Sequence, residues 1–275
     1  MAMTRRALLR GALASAIGAA TGATTYGAVY ERHRIGMTEA SLPVSGLPPA
    51  LDGLRIGFVT DVHHSQMVPA SDVSDAVALA NAAHPDLIVL GGDYVTFADR
   101  RYMEPVAELL EPLRAPLGVF AILGNHDDDR HMPAALQRRH IEVLRDARTR
   151  LEIRGEHLEL AGIRFWTRRA ADIAPLLRPG AGATALLLAH DPRRLEEAAA
   201  FNVPGVLSGH THGGQVVMPG LGALAKRRFP VLAGLARREN TSIFVSRGVG
   251  TVYVPVRINC PPEVAIVTLE RRSRI

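Results

Sequence analysis

The sequence predicts a layered α/β protein, and three observations carry that prediction. From residue 54 onward, short apolar runs of strand type alternate with segments of helical spacing. Most of these runs end in a polar cluster containing histidine, aspartate or asparagine, the pattern of layered α/β proteins with a site at the strand ends. A chain of 275 residues, 47% hydrophobic and 21% charged, can also bury a substantial core.

Residues 1–30 stand apart from that alternation. Arg5 and Arg6 precede residues 11–30, which carry no charge and are dominated by Ala, Gly and Thr. The paired arginine before a weakly apolar stretch resembles a twin-arginine export signal. The stretch is also about long enough to cross a bilayer, which needs roughly 20 residues. Thr21-Gly22-Ala23 is the best candidate for a cleavage site, so the segment reads as a signal peptide or as a membrane anchor over residues 7–30. Its expected partners are the twin-arginine export machinery and the cytoplasmic membrane, and the expected location is outside that membrane. Residues 31–50, with Pro43, Pro48 and Pro49, read as a linker, and residues 51–275 as one domain.

Within the domain, residues 54–59 predict a strand delivering Asp61 and His63. Residues 71–83 have helical spacing, and residues 87–90 form a second buried-type strand ending in Gly91-Gly92-Asp93. A helix over 104–113 leads to a strand over 119–123, which ends in Gly124-Asn125-His126-Asp127. A helix over 133–144 follows, then a meander over 151–160 and 163–167. Residues 185–189 predict a buried strand ending at His190, with a helix over 193–200. Residues 206–208 run into Gly209-His210-Thr211-His212-Gly213-Gly214, and strands over 242–246 and 264–269 complete the sheet material.

Charge and cysteine content narrow the chemistry. The net charge of +5 and pI near 10.0 favour an anionic partner, but much of the excess lies in Arg5, Arg6, Arg10, Arg271, Arg272 and Arg274. No basic stripe interleaved with aromatics crosses the middle, so no nucleic-acid partner is expected. A lone Cys260 excludes an intramolecular disulfide and a four-cysteine zinc site.

Five strand ends carry candidate metal ligands: Asp61 and His63, Asp93, Asn125, His190, then His210 and His212. Two histidines one residue apart on an extended segment project to the same side. Neutral imidazole is the commonest protein ligand for a transition metal. Seven mixed carboxylate, amide and imidazole donors would crowd one ion but suit two borderline ions that share a carboxylate, such as manganese, iron or zinc.

The ordered set of D-x-H, G-D, G-N-H-D, H and G-H-T-H resembles the calcineurin-like metallophosphoesterase superfamily, across about residues 54–270. Residues 87–94 (LIVLGGDY), 209–215 (GHTHGGQ), 246–250 and 259–263 are similar to its membrane-associated bacterial branch. The resemblance implies a four-layer αββα sandwich with two face-to-face sheets. It implies one divalent metal ion held by Asp61, His63, Asp93 and His212, and a second held by Asp93, Asn125, His190 and His210. The implied activity is a metal-dependent phosphodiesterase, in which a metal-bridging hydroxide attacks a phosphate ester. His126 is expected to assist the leaving group, Asp127 to orient His126, and Arg247 to contact the phosphate.

Residues 218–229 join apolar side chains to the basic triplet Lys226-Arg227-Arg228, a loop suited to anionic lipid or a lipid-linked substrate. The rival activity is a pyrophosphate hydrolase of the UDP-2,3-diacylglucosamine type, which an outward-facing location argues against. A non-catalytic metal-binding module on the same fold is disfavoured because all seven ligands and His126 are present. A phosphoprotein phosphatase lacks its arginine-bearing motifs here.

Overall fold

A computed structural model describes residues 4–178, 180, 182–223 and 228–272. In chain order the elements are α1 (Arg5–Val29), β1 (Gly36–Ser45), β2 (Arg55–Val59), α2 (Ala70–Ala82), β3 (Leu87–Leu90), α3 (Met103–Leu110), β4 (Val119–Ala121), α4 (Met132–Gln137) and β5 (Glu142–Val143). Then come β6 (Ala147–Ile153), β7 (Glu156–Ile163), α5 (Ala170–Leu177), β8 (Ala183–Ala189), α6 (Leu195–Ala200) and β9 (Gly205–Ser208). The last strands are β10 (Val217–Met218), β11 (Gly222–Ala223), β12 (Gly234–Arg238), β13 (Thr241–Val245) and β14 (Glu263–Arg272).

The strands form two six-stranded mixed sheets, ordered β1-β14-β2-β3-β4-β5 and β12-β13-β9-β8-β7-β6, with β10 and β11 as a separate hairpin. Side-chain alternation explains why the sheets stack. On β3, Leu87 and Val89 enter the core between the sheets, whereas Ile88 and Leu90 pack with residues of α2 and α3. On β8, Leu186 and Leu188 face the first sheet, while Ala185, Leu187 and Ala189 pack with residues of α5 and α6. Both faces of each central strand are therefore covered, which is why these strands read as unbroken apolar runs. Phe58 and Phe244 meet edge to face across the sandwich with centroids 6.4 Å apart. Truncating either ring to Ala would cost about 3–5 kcal/mol. The four-layer αββα architecture is as expected.

Three expectations are corrected. Residues 31–50 are not a linker: β1 lies within them and pairs with β14 in parallel register from Gly36↔Glu263 to Ser45↔Arg272. Proline is tolerated at a sheet edge, where one side of the backbone needs no ladder partner, and β1 is an edge strand. The helix expected over 133–144 stops at Gln137. His140 turns left-handed (φ 59°), and the chain re-enters the sheet as β5. Residues 164–167 are loop, so the expected meander reduces to the β6–β7 hairpin. For residues 7–30, α1 has the length of a span, but among the described residues no helix is both long and apolar enough to cross a membrane.

Candidate metal centre

In both sheets the parallel strands β2, β3, β4, β8 and β9 run the same way within their sheet, and their carboxyl ends deliver the polar clusters to one place. Asp61, His63 and His212 form one group of potential ligand atoms within 4.8 Å of one another, and Asp93, His190 and His210 form another. His63 Nε2 and His212 Nε2 face each other at 3.1 Å, and His212 Nε2 is 3.3 Å from Asp61 Oδ1. Asp93 Oδ2 lies 3.5 Å from His63 Nε2 and 3.1 Å from His190 Nε2, so one oxygen touches both groups. Asn125 Oδ1 and His190 Nε2 are buried without a hydrogen-bond partner.

These donors fit divalent cations. Two nitrogens each about 2.1 Å from one ion and 3.1 Å apart subtend roughly 95°, an ordinary ligand–metal–ligand angle. Two of the ring nitrogens behind the site have partners as well. His190 Nδ1 lies 2.7 Å from the Gly91 carbonyl and donates to it, which turns Nε2 toward the carboxylates. Thr96 Oγ1 lies 3.3 Å from His63 Nδ1. The chemistry of the set, imidazole, carboxylate and amide without thiolate, suits borderline ions.

The backbone is bent to achieve this. Asp61, His63, Asp93, His210 and His212 all have left-handed φ, between 50° and 73°. Such angles are uncommon outside glycine and cluster at functional sites. The histidine turn is consequently not extended as expected: His210 joins the Asp93 group and His212 the Asp61 group. Close approach is made possible by glycine. A Cβ on Gly124 would collide with the Asp93 carboxylate, and one on Gly209 with Asp61 and Thr60.

Burial and charge tune the donors. Burial pulls His63 down to about 3 and His210 to about 4, and pushes His212 well below the usual imidazole range, so all three present neutral lone pairs. Burial also opposes charge on His190, but the carboxylates of Asp93 and Asp61 prevail and raise it to about 10. Burial pushes Asp61 up to about 6, against the pull of His190. The carboxylates demand positive charge between them, which a proton on His190 or a cation supplies; the two compete.

His126 borders the site, its ring 5.0 Å from that of His63. Its Nδ1 accepts from the Phe97 amide at 3.1 Å, which puts the ring proton on Nε2. Its own amide donates to Asp93 Oδ1 at 2.8 Å. Asp127 does not orient His126. Its carboxylate accepts from the amides of Asp93 (2.8 Å), Tyr94 (2.8 Å) and Gly124 (2.9 Å), tying the ends of β3 and β4 together. Arg247 is held through Nη2, which pairs with Glu263 and donates to Thr38 Oγ1, while its Nε has no hydrogen-bond partner.

One positioning residue escaped sequence reasoning. Arg257 is fully buried, and its guanidinium donates to the carbonyls of Arg247, Gly248, Gly250 and Cys260. That loop backs Asp61, since Gly250 N donates to Asp61 O at 2.7 Å. The segment after α1 also reaches the site. Arg257 N donates to Gly27 O, Cys260 N donates to Glu31 Oε1 at 2.8 Å, and Cys260 Sγ lies 3.2 Å from His212 O. An arginine in a loop carries no sequence signal for such a role. The expected lipid-facing triplet falls largely outside the described residues, which include only Arg228 of it.

Residues 54–214 match the calcineurin-like phosphoesterase family. The chain is 30% identical over 280 residues to the metallophosphoesterase YkuE of Bacillus subtilis, covering 98% of each. It is 34% identical over 230 residues to phosphodiesterase YaeI of Escherichia coli, covering 78% of this chain and 82% of that one. Among solved structures, the sulfate thiohydrolase SoxB of Thermus thermophilus superposes with a TM-score of 0.52 at 12% identity, covering 82% of this chain and 57% of that one, a likeness of fold.

Proposed function

The chain belongs to the calcineurin-like phosphoesterases and is a phosphate-ester hydrolase; from that premise we propose that it is a phosphodiesterase working with two divalent cations, manganese foremost. The observation that carries the two-ion reading is the pair of converging donor groups sharing Asp93 Oδ2. In this reading Asp61, His63, Asp93 and His212 would hold one ion, and Asp93, Asn125, His190 and His210 the other. Similarity to YaeI supports a diester over a monoester.

When bound, the cations supply Lewis acidity toward a phosphoryl oxygen and make water acidic enough to react near neutral pH. The protein's own part is to present neutral imidazoles and two carboxylates in a rigid cage. His126, with its proton on Nε2, donates to the departing oxygen as charge builds there. Asp127 and Arg257 hold the loops that carry Asp93 and Asp61. The paired Arg5 and Arg6 support export through the twin-arginine route, with the catalytic domain outside the cytoplasmic membrane; a topology reporter fused to the C-terminus tests that location.

The test of the activity is a comparison of bis(p-nitrophenyl) phosphate with p-nitrophenyl phosphate after chelation and reconstitution with Mn²⁺, Fe²⁺ or Zn²⁺. The expected result is metal-dependent turnover with the diester favoured by roughly tenfold or more in kcat/KM. Faster turnover of the monoester would remove the diester reading, and inactivity with every metal would remove the catalytic one.

A further inference from the structure

We propose that the rim of the metal centre is a docking surface for an anionic phospholipid bilayer, on which the open side of the site rests. Large apolar side chains stand in solvent on both flanks of the centre. Phe97 is 63% exposed and Tyr253 69%, and both rings lie against His126. On the opposite flank Trp166 is 54% exposed and packs on Phe165, which packs on His210. Leu221, at the tip of the β10–β11 hairpin, is 81% exposed. Tyr253, Val254, His210 and Phe229 line one cleft of about 320 Å³ together.

The composition of this rim identifies its occupant. Amphipathic aromatics and aliphatic tips around a polar opening suit the boundary between headgroups and acyl chains. Arginines supply the charge complement. Arg168 lies over the Phe165 ring at 5.1 Å, Arg228 is exposed on the cleft, and neither has a carboxylate partner among the described residues. Cations of this kind attract anionic headgroups near the surface.

The placement of α1 points the same way. Its last turn is seated on the segment that follows Val254, with Gly27 against Arg257 and the side chains of Val256 and Ile258. Leu8, Leu9, Leu13 and Ile17 of α1 are exposed. The weakly apolar α1 thus packs on the stretch of chain that immediately follows Tyr253 and Val254 of the rim, and one bilayer surface can take up both. For the phosphodiesterase reading, on which this consequence rests, the substrate class becomes a membrane phosphodiester delivered sideways into the site.

Trp166 is the one tryptophan of the chain, so its fluorescence reports the rim alone. The full-length protein is mixed with phosphatidylcholine vesicles, with and without phosphatidylglycerol, and with brominated phosphatidylcholine as a depth quencher. The expected result is a blue shift and quenching of Trp166 that strengthen with phosphatidylglycerol. Leu221→Asp is expected to weaken vesicle binding by roughly tenfold, the worth of about one buried leucine, while leaving soluble-diester turnover unchanged. Co-sedimentation with an unshifted, unquenched Trp166 would mean that α1 alone binds and the rim faces away, and the proposal falls. It falls equally if no vesicle binds. Failure to cleave the soluble diester would sink the phosphodiesterase reading while leaving the fluorescence result intact.

Discussion

Asp127 offers the sharpest separation between holding a site together and taking part in its chemistry. Replacing it with alanine strands three buried amides, those of Asp93, Tyr94 and Gly124. A buried donor left unsatisfied costs about 1–3 kcal/mol, and water entering the gap recovers part of the total over three of them. A loss of roughly 3–6 kcal/mol follows, which lowers the melting temperature on the order of 10–20 °C in a domain of this size. Because the Asp93 amide is among the three, the ligand loop loosens as well, and metal affinity should drop about 10–100-fold. Thermal melts, metal titration and turnover at saturating Mn²⁺ together separate the two roles. Expected is a large drop in melting temperature, weaker metal binding, and a kcat within roughly tenfold of the parent once metal saturates. An unchanged melting temperature with kcat down more than about 10²-fold would overturn this assignment and return Asp127 to the reaction itself.

The other predictions read different parts of the site. His126→Ala is expected to cut turnover by about 10²–10⁴-fold while metal content, measured by elemental analysis, stays at the parent level. Arg257→Met orphans carbonyls around the loop behind Asp61 and should cost at least about 3 kcal/mol in urea unfolding. Arg257→Lys should rescue little of this, since a single ammonium cannot serve a fork of acceptors. Asp146 is held below the ordinary carboxylate range: burial opposes this, but hydrogen bonds from Thr167 and Arg164 override it. Its folded-state pKa is depressed, so its stabilisation is present above about pH 4 and fades as pH falls through the folded value. Asp146→Asn should therefore flatten the acid limb of a urea-midpoint profile, and an unchanged limb would remove the assignment.

Local pattern made the strand ends legible, because β2, β3, β8 and β9 are buried on both faces and their apolar runs break sharply at Asp61, Asp93, His190 and His210. What local pattern could not supply is the partner across space. Asp127 looked like a neighbour of His126, yet its acceptors serve amides from two strand ends. Arg247 looked free, yet Glu263 at the start of β14 holds its Nη2. The prolines over 43–49 outweighed the inward alternation of Leu42 and Val44, the one signal that could have revealed β1. Histidine spacing gave the ligands but not their left-handed backbone, which depends on the cage as a whole.

The contacts from Gly27 to Arg257 and from Glu31 to Cys260 set a limit on how far the amino terminus can be trimmed. Removing the residues upstream of Tyr26 would leave both latches fastened and the catalytic loops braced. Starting an expression clone at residue 34 instead strips the acceptor from a buried amide beside the His212 carbonyl, so a shortened protein can fold its sheets and still load metal poorly.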